Sequence, residues 1–331
     1  ISAHKNWIWS IEYLPEGERV VTCSYDNTVR IWDVGKGEQE GTSMVHKDWV
    51  LGLAVTRDGK RILSGEDGRI KAWDVETHKI ETEVRTSHTG AVRCIALSPD
   101  DQLAASGGED GNVEIREMKE SGGIKHLMRV DAGNRVLSLC FSPNGKKLAC
   151  AVNNRTTRVF LIRIYDVGSG QPVLGPIEAH TALINCILWS RDGSQLFSAS
   201  SDHTIRCWDP ETGGPVGEPW MGHTGCVYCL ALSSSNGTLA SASEDGTIRF
   251  WDAHSGVQVR EPLQHTKSRQ HAVAFSPSGE FVASGGLDGK LSIWRVPWWD
   301  ETQKQVMAMF TYLPTLLLTV FIATDPSSLA R

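Results

Sequence analysis

The chain has 331 residues, of which 40% are hydrophobic and 22% are charged, and its formal net charge at pH 7 is −6. This composition is typical of a folded globular protein and excludes an intrinsically disordered chain. The acidic balance gives no basic footprint for non-specific nucleic-acid binding, although it leaves room for a local basic patch.

One short motif returns along the chain at a nearly constant interval. It reads, in order, RIWDV (30–34), KAWDV (71–75), EIREM (114–118), RIYDV (163–167), RCWDP (206–210), RFWDA (249–253) and SIWRV (292–296). The central residues stand at positions 32, 73, 116, 165, 208, 251 and 294. Self-similarity at a period of this size predicts seven copies of one supersecondary unit.

Within each unit the predicted elements follow the same order. A His is followed by an alternating apolar run such as GAVRCIALS (90–98), then a turn, then a small-residue run such as LAASGG (103–108). A turn such as EDG (109–111) leads into the motif. Short alternating runs bounded by Asp, Gly and Pro indicate β-strands and hairpins, and no stretch has a convincing helical period. The sequence therefore predicts an all-β chain of small antiparallel sheets.

These repeats resemble the WD40-repeat β-propeller family, and fungal WD-repeat proteins in particular. The resemblance covers residues 4 to about 296. It implies a seven-bladed β-propeller of four-stranded antiparallel blades around a channel. The predicted repeats are at about 4–45, 46–87, 88–131, 132–179, 180–222, 223–264 and 265–313.

A His, a Ser or Thr, an Asp and a Trp recur at nearly fixed offsets. The resemblance implies that each set forms a hydrogen-bonded chain that ties the inner strands of a blade to the third strand. The predicted sets are His4, Thr22, Asp26 and Trp32; His46, Ser64, Asp67 and Trp73; His88, Ser106 and Asp110; His180, Ser198, Asp202 and Trp208; His223, Ser241, Asp245 and Trp251; and His265, Ser284, Asp288 and Trp294.

The same residue types could indicate a hydrolase triad. A triad is needed only once, however, whereas this set recurs in six units, so we interpret it as structural. The sequence predicts no catalytic residue, no metal site and no cofactor, and hence a protein that is not an enzyme.

Two repeats depart from the pattern. Repeat three has Arg116 in place of Trp, which removes an aromatic of roughly 150–250 Å² and several kcal/mol of burial unless the Arg stem packs there. Repeat four has Ala132 for His, Cys150 for Ser and Tyr165 for Trp. We expect blades three and four to be the least stable.

The eight cysteines lie mostly within apolar, strand-like runs. Cys226 and Cys229 are separated by two residues, which places them on opposite faces of a strand and disfavours chelation. We interpret the cysteines as buried thiols and expect a reducing, intracellular location, either cytoplasmic or nuclear.

In the family, the residues three and five after the His, and the residue before the Asp, look out from one face. Glu66, the residue before Asp67, would therefore look out from blade two. The predicted partner-binding residues are Trp7, Trp9, Tyr25, Trp49, Arg93, Arg135, Tyr228, Arg269 and His271.

These residues predict a non-catalytic scaffold or recognition module that binds a protein or peptide. Arginines among them favour an acidic or phosphorylated segment. No small-molecule substrate or membrane partner is expected, and the net acidity disfavours nucleic acid.

Three alternatives remain open. Trp7 and Trp49 could merely fill grooves between blades, or the face could read nucleic acid or chromatin. The chain could also be the sensor domain of a larger receptor, since its repeats are similar to those of fungal nucleotide-triphosphatase immune-type receptors. Its start without Met suggests an excerpt of a longer product.

Seven four-stranded blades need one more strand than the repeats supply. Only Ile1, Ser2 and Ala3 precede His4, so we expect the carboxyl-terminal segment to form this last strand. ETQKQVMAMF (301–310) echoes ETHKIETEV (76–84), so residues 305–312 are predicted to complete blade seven. The propeller domain would then span 1–313, followed by an apolar tail at 314–331. The stretch 306–323 is shorter than the roughly 20 residues of a membrane span and contains Pro314, which disfavours an anchor.

Overall fold

The computed structural model describes residues 1–119, 123–154, 156–235, 237–264 and 268–299. In these ranges the chain forms β-strands, turns and loops without a helix. The strands are arranged in seven antiparallel sheets, one for each repeat. The predicted all-β class is therefore confirmed.

The strands of each blade follow in sequence order. Blade 1 contains β1 (Ile8–Tyr13), β2 (Arg19–Ser24), β3 (Thr28–Asp33) and β4 (Glu38–Val45); blade 2 contains β5 (Gly52–Val55), β6 (Arg61–Glu66), β7 (Arg69–Asp74) and β8 (Ile80–Arg85); blade 3 contains β9 (Val92–Leu97), β10 (Leu103–Gly108), β11 (Asn112–Met118) and β12 (Ile124–Asp131); blade 4 contains β13 (Arg135–Phe141), β14 (Lys147–Asn154), β15 (Val159–Asp166) and β16 (Ile177–Glu178).

The remaining blades follow the same plan. Blade 5 contains β17 (Ile184–Trp189), β18 (Leu196–Ser200) and β19 (Ile205–Trp208); blade 6 contains β20 (Val227–Leu232), β21 (Thr238–Ser243), β22 (Thr247–Asp252) and β23 (Leu263–Gln264); blade 7 contains β24 (Gln270–Phe275), β25 (Phe281–Gly286) and β26 (Leu291–Arg295). The outer edge of blade 5 is formed by Pro215 and Trp220, which pair with Trp208 and Ile205 of β19.

The first strand of each blade contacts the first strands of both neighbouring blades. Strand β24 of the last blade contacts β1 of the first, so the sheets close into a ring with the first strands at its centre. The chain is therefore a seven-bladed β-propeller, as the repeats predict.

Burial explains why each strand has its composition. The second strands lie between neighbouring blades and are buried along nearly their whole length, whereas the outer strand β8 is mostly exposed. Neighbouring blades approach so closely that a Cβ at Gly65 or Gly107 would lie 2.7 or 2.6 Å from Val92 or Val136 of the next blade. The small-residue runs of the sequence are thus needed for this close packing.

The hydrophobic core lies between blades and is divided into several layers. One layer joins Val21 and Ile31 of blade 1 to Leu53, Ile62 and Trp73 of blade 2. Burial of apolar area between neighbours, at about 25 cal/mol per Å², therefore stabilises the ring.

The amino-terminal residues contribute to blade 7. Ile1 and Leu291 exchange two main-chain hydrogen bonds of 2.9 Å, and the His4 amide donates to the Gly289 carbonyl at 2.9 Å. The sequence pattern pointed to the carboxyl-terminal segment for this edge, yet the three residues before His4 also pair at the outer edge of β26. The predicted strand at 305–312 lies outside the described residues and stays a prediction.

An ion pair occupies the place of the missing Trp in blade 3. Arg116 is 5% exposed and Glu114 is fully buried. Arg116 donates to Glu114 Oε2 from Nε at 3.0 Å and from Nη2 at 2.6 Å, and it also donates to the Arg85 carbonyl. The arginine therefore fills the site, but with a buried charge that depends on its partner.

Blade 4 replaces the polar residues as a set. Ala132, Cys150 and Tyr165 are all buried in one apolar cluster. Exchanging one member alone would leave its former hydrogen-bond partner unsatisfied, whereas exchanging all of them converts the site to apolar packing.

We predict that Arg116→Leu destabilises the protein by about 3–5 kcal/mol, because it leaves the Glu114 carboxylate buried without a counter-ion. The double variant Glu114→Arg/Arg116→Trp reproduces the pair Arg30 and Trp32 of blade 1 and should recover most of this loss. Urea unfolding midpoints measure both effects. A single variant as stable as the wild type would contradict the role of the ion pair.

We also predict that truncation after Leu313 leaves the thermal midpoint unchanged. Truncation after Lys304 should lower it by a few degrees, because it removes the strand predicted to cover the part of the β26 edge beyond the pairing of Ile1 with Leu291. Equal midpoints for the two truncations would show that residues 305–313 do not complete blade 7.

Candidate functional site

Two kinds of loop meet at one end of every blade: the turn between the second and third strands, and the segment that enters the first strand. Because neighbouring strands are antiparallel, these loops lie together around one mouth of the channel. We call this end the upper face.

In blade 1, four side chains form a hydrogen-bonded chain beneath the upper face. His4 Nε2 lies 2.7 Å from Thr22 Oγ1, and His4 Nδ1 lies 3.0 Å from Asp26 Oδ2. The Trp32 indole donates to the same Thr22 oxygen at 2.9 Å. The amide of Lys5 donates to Asp26, so the chain also fixes the loop that enters the blade.

Blades 5 and 6 repeat this arrangement closely. His180 and His223 each lie 2.7 Å from the Ser hydroxyl and 2.8 Å from the Asp carboxylate. The indoles of Trp208 and Trp251 donate to Ser198 and Ser241 at 2.8 Å.

Electrostatics in the sets of blades 1 and 6 favours neutral His and ionised Asp. Burial lowers the pKa of His4 and of His223. Burial alone would raise the pKa of Asp245, but hydrogen bonds from His223 and Thr247 outweigh it and hold this pKa well below its usual value. The Ser241 hydroxyl is fully buried between imidazole and indole, which leaves it no access to a substrate.

In blade 2 the carboxylate is Glu66 and not the predicted Asp67. The turn is one residue shorter there, since Glu66 pairs with Arg69 and the turn consists of Asp67 and Gly68. Asp67 is therefore exposed at the tip, while the longer Glu66 side chain reaches His46 Nδ1 at 3.1 Å. Glu66 is consequently buried and does not look out from the upper face. The sequence signal for this difference is the spacing from His46 to Asp67, which is one residue shorter than the spacing from His4 to Asp26 in blade 1.

The rest of this set follows the pattern. His46 Nε2 lies 2.9 Å from Ser64 Oγ, to which the Trp73 indole donates at 2.8 Å. Lys71 Nζ lies 3.3 Å from the second Glu66 oxygen.

The sets of blades 3 and 7 differ in composition. His88 lies 3.0 Å from both Ser106 and Asp110, without a Trp. In blade 7 the Trp294 indole donates to Ser284 at 3.1 Å, and Asp288 accepts from the Lys290 amide. His265 lies outside the described residues.

Aromatic side chains from neighbouring blades meet on the upper face. Trp7 and Trp49 hold equivalent positions in blades 1 and 2 and are 39% and 52% exposed. Tyr25 lies between them, with ring centroids 5.4 Å from Trp7 and 4.9 Å from Trp49.

The aromatic contacts continue to the mouth of the channel. Trp9 lies 5.3 Å from Tyr25 and 4.2 Å from His271, which stacks on Tyr228 at 4.5 Å. Trp9, His271 and Tyr228 each stand at a register shift in the first strand of a blade. We call the six residues Trp7, Trp9, Tyr25, Trp49, Tyr228 and His271 the aromatic ladder.

The arginines beside the ladder carry their own carboxylates. Arg93 lies over the Trp9 ring at 5.5 Å and pairs with Glu109, which is also 3.6 Å from Arg135. Arg269 pairs with Glu244 at 2.9 Å. The positive charge on this face is therefore largely balanced.

Asn153 of blade 4, which is equivalent to Tyr25 of blade 1, does not look out from this face. It is buried, where its amide donates to the Ile184 carbonyl at 3.0 Å and accepts from the Ile184 amide at 2.8 Å. Asn153 thus joins blade 4 to blade 5, a role that the sequence pattern does not signal.

The cysteines carry free thiols at all eight positions. Among the described residues, no group of three His, Cys, Asp or Glu side chains could hold a metal ion. The same part of the chain contains no helix long and apolar enough to cross a membrane.

The stacked His271 should make the stability of the protein pH-dependent. Burial lowers its pKa to about 4, below the ordinary value of 6.5, so the fold retains the neutral imidazole. Its contribution is present above pH 6.5 and is lost as the pH falls towards 4.

We predict that His271→Phe, which keeps a ring in the stack, reduces the loss of stability between pH 7.5 and pH 4.5 by about 1–3 kcal/mol. Urea unfolding at several pH values measures the difference in the free energy of unfolding between variant and wild type. The contributions of the other histidines cancel in this difference. An unchanged pH dependence would contradict the assignment.

The repeats of this chain match those of a known protein family. Seven segments match the family described as "WD domain, G-beta repeat": residues 1–33, 37–74, 81–116, 125–160, 171–209, 214–252 and 256–295.

Several curated proteins are similar to this chain. "Small ribosomal subunit protein RACK1y" of Oryza sativa subsp. japonica is 32% identical over 51% of this chain and 50% of that protein. "Small ribosomal subunit protein RACK1" of Neurospora crassa is 30% identical over 50% of this chain and 52% of that protein. "Cross-pathway control WD-repeat protein 2" of Flammulina velutipes is 28% identical over 62% of this chain and 79% of that protein.

The alignments to the first two of these relatives thus span only about half of their length. The family segments, by contrast, extend through all seven blades and cover well over half of the chain. The chain therefore belongs to the WD domain, G-beta repeat family.

Proposed function

We propose that this protein is a non-catalytic interaction scaffold that binds a protein or peptide segment on its upper face through the aromatic ladder. The observation that carries the proposal is the pair of exposed indoles, Trp7 and Trp49, on neighbouring blades with Tyr25 between them. Aromatic side chains of this kind dominate binding energy at protein interfaces.

The ladder is also preorganised for binding. Tyr25 contacts three indoles, and the main-chain amides of Trp7 and Trp49 donate to Asn6 and Asp48. Rings already held by their neighbours lose little conformational freedom when a partner docks. This arrangement supports a binding role over the alternative that Trp7 and Trp49 only fill grooves, because both remain substantially exposed.

An acidic or phosphorylated residue in the partner would engage Arg269 first. The Arg269 side chain is 51% exposed, whereas Arg93 and Arg135 are more buried. An incoming anion must compete with Glu244 for this guanidinium, so its contribution should depend on ionic strength.

The names of the relatives support a role in larger assemblies. Two are named as small ribosomal subunit proteins, and a third, of Pyricularia oryzae, is named "MST50-interacting protein 11". By analogy, we propose an intracellular scaffold of the cytoplasm or nucleus.

We predict that Trp7→Ala/Trp49→Ala lowers partner capture by tenfold or more, because losing a hot-spot residue costs at least about 2 kcal/mol. The measurement is quantitative mass spectrometry of proteins photo-crosslinked to a reactive amino acid at position 25. Val257→Ala is the control, since Val257 is exposed but lies on the turn after β22, at the opposite end of its blade. Unchanged capture by the double variant would overturn the assignment.

The charge contribution has its own matched pair in the same assay. Arg269→Glu should reduce capture at low salt more than at high salt. Arg295→Glu should not, although its side chain is equally exposed and also paired with a glutamate, Glu280. Equal effects of the two reversals would contradict an acidic contact at Arg269.

A further inference from the structure

A cleft of about 370 Å³ lies between blades 3 and 4, away from the upper-face ladder. Its walls are Met128–Asp131 of β12, Arg163 and Tyr165 of β15, and the turn 169–172. Neither the repeat pattern nor the proposed scaffold function gives this cleft a role.

Between two other pairs of blades a bulky side chain fills the corresponding space, whereas a cleft of similar volume lies between blades 7 and 1. Between blades 5 and 6 the Trp220 indole packs so closely on the turn after β22 that a Cβ at Gly256 would lie 2.1 Å from Trp220 Nε1. Between blades 1 and 2 the His78 ring lies against Gly41 in the same way. Between blades 3 and 4, Met128 packs less closely on the equivalent Gly170, where a Cβ would lie 3.0 Å from its sulfur, and Tyr165 is smaller than Trp, so space remains.

Arg163 stands in this cleft without the side-chain partners of Arg30, although its unpartnered Nε is shared with the equivalent Arg206 and Arg249 of blades 5 and 6. Arg30, the equivalent residue of blade 1, lies 3.6 Å from Asp26 and donates to Gln39. In blade 4 the place of Asp26 is taken by Asn154, whose oxygen accepts from the turn amides of Thr156 and Thr157. Pro172 pairs with Tyr165 where Gln39 pairs with Trp32.

The cleft therefore presents donors that lack an acceptor among the described residues. Arg163 Nε is buried without a hydrogen-bond partner, and so is the hydroxyl of Tyr165, which is 3% exposed. The two groups cannot satisfy each other fully, because a guanidinium offers only donors and leaves the Tyr proton without an acceptor. Buried donors of this kind carry an energetic cost that a bound acceptor would remove.

The charges around the cleft narrow the class of acceptor. Arg129 and Arg163 contribute two positive charges, and Asp131, which accepts from the Gly133 amide, contributes one negative charge. A singly charged group therefore fits better than a phosphate dianion. Met128, Val130 and Pro172 supply an apolar wall that suits a short aliphatic stem.

We propose that this cleft binds a carboxylate on a short aliphatic stem, with Arg163 as its main partner and Tyr165 as a second donor. The carboxylate can come from a glutamate side chain of a bound polypeptide or from a free small acid. The recognition chemistry is the same in both cases.

The test is calorimetric titration of the whole chain with N-acetyl-glutamate amide as the probe. Binding should be detectable at millimolar concentrations, and N-acetyl-glutamine amide should not bind. Arg163→Gln should weaken binding by about tenfold or more, since a hydrogen bond to a charged group contributes about 1.5–3 kcal/mol. Tyr165→Phe should weaken it by a smaller factor with the cleft volume retained.

Arg206→Gln is the matched control. Arg206 stands two residues before Trp208, as Arg163 stands two before Tyr165, and is likewise half-buried, but it does not line this cleft. It should leave the titration unchanged. Equal binding by wild type and Arg163→Gln, equal binding of the glutamine probe, or no binding of the glutamate probe would each overturn the proposal.

Two further titrations distinguish the sources of the ligand. Tighter binding of an Ala-Glu-Ala peptide than of glutarate supports a polypeptide side chain, and the reverse order supports a free acid. Inorganic phosphate that binds more tightly than either would overturn the carboxylate class.

Discussion

The structure depends on a buried hydroxyl in the second strand of most blades. In blade 1, Thr22 lies between the imidazole of His4 and the indole of Trp32, and thereby connects a surface loop to the third strand. Each polar group in this chain is satisfied by the next, so removing one member would leave another buried and unpaired. The upper face, with its exposed aromatic rings, rests on this support, which is why loops of varied sequence can have fixed positions.

The sequence was sufficient to predict the fold because the period, the turns and the apolar alternation all indicate the same blade. It failed where one residue changed the path of the backbone. Shortening the turn by one residue moved Asp67 to the surface and brought Glu66 to His46, an exchange that fixed spacing cannot anticipate. The role of Ile1–Ala3 was missed for a related reason, since edge pairing depends on position in the ring and not on segment length.

The candidate site was predictable in its residue types but not in its energetics. The register placed Trp7, Tyr25 and Trp49 on one face, and the structure brings them into contact. Pattern alone could not show that Arg93 and Arg135 both lie beside Glu109, because the residues come from different strands and blades. Whether a charge is available to a partner is decided by such tertiary neighbours. The pair Arg116 and Glu114 illustrates the same limit, since the sequence showed a missing Trp but not what replaces it.

The main-chain bonds between Ile1 and Leu291 join residues that are 290 positions apart. Contacts of such long range form late, because loop-closure entropy must be overcome before they contribute any stability. During synthesis the early blades must therefore wait with one inter-blade surface uncovered until the last repeat has left the ribosome. Chaperone demand for this chain should thus be set by the order in which its repeats emerge, and not by the stability of the finished ring.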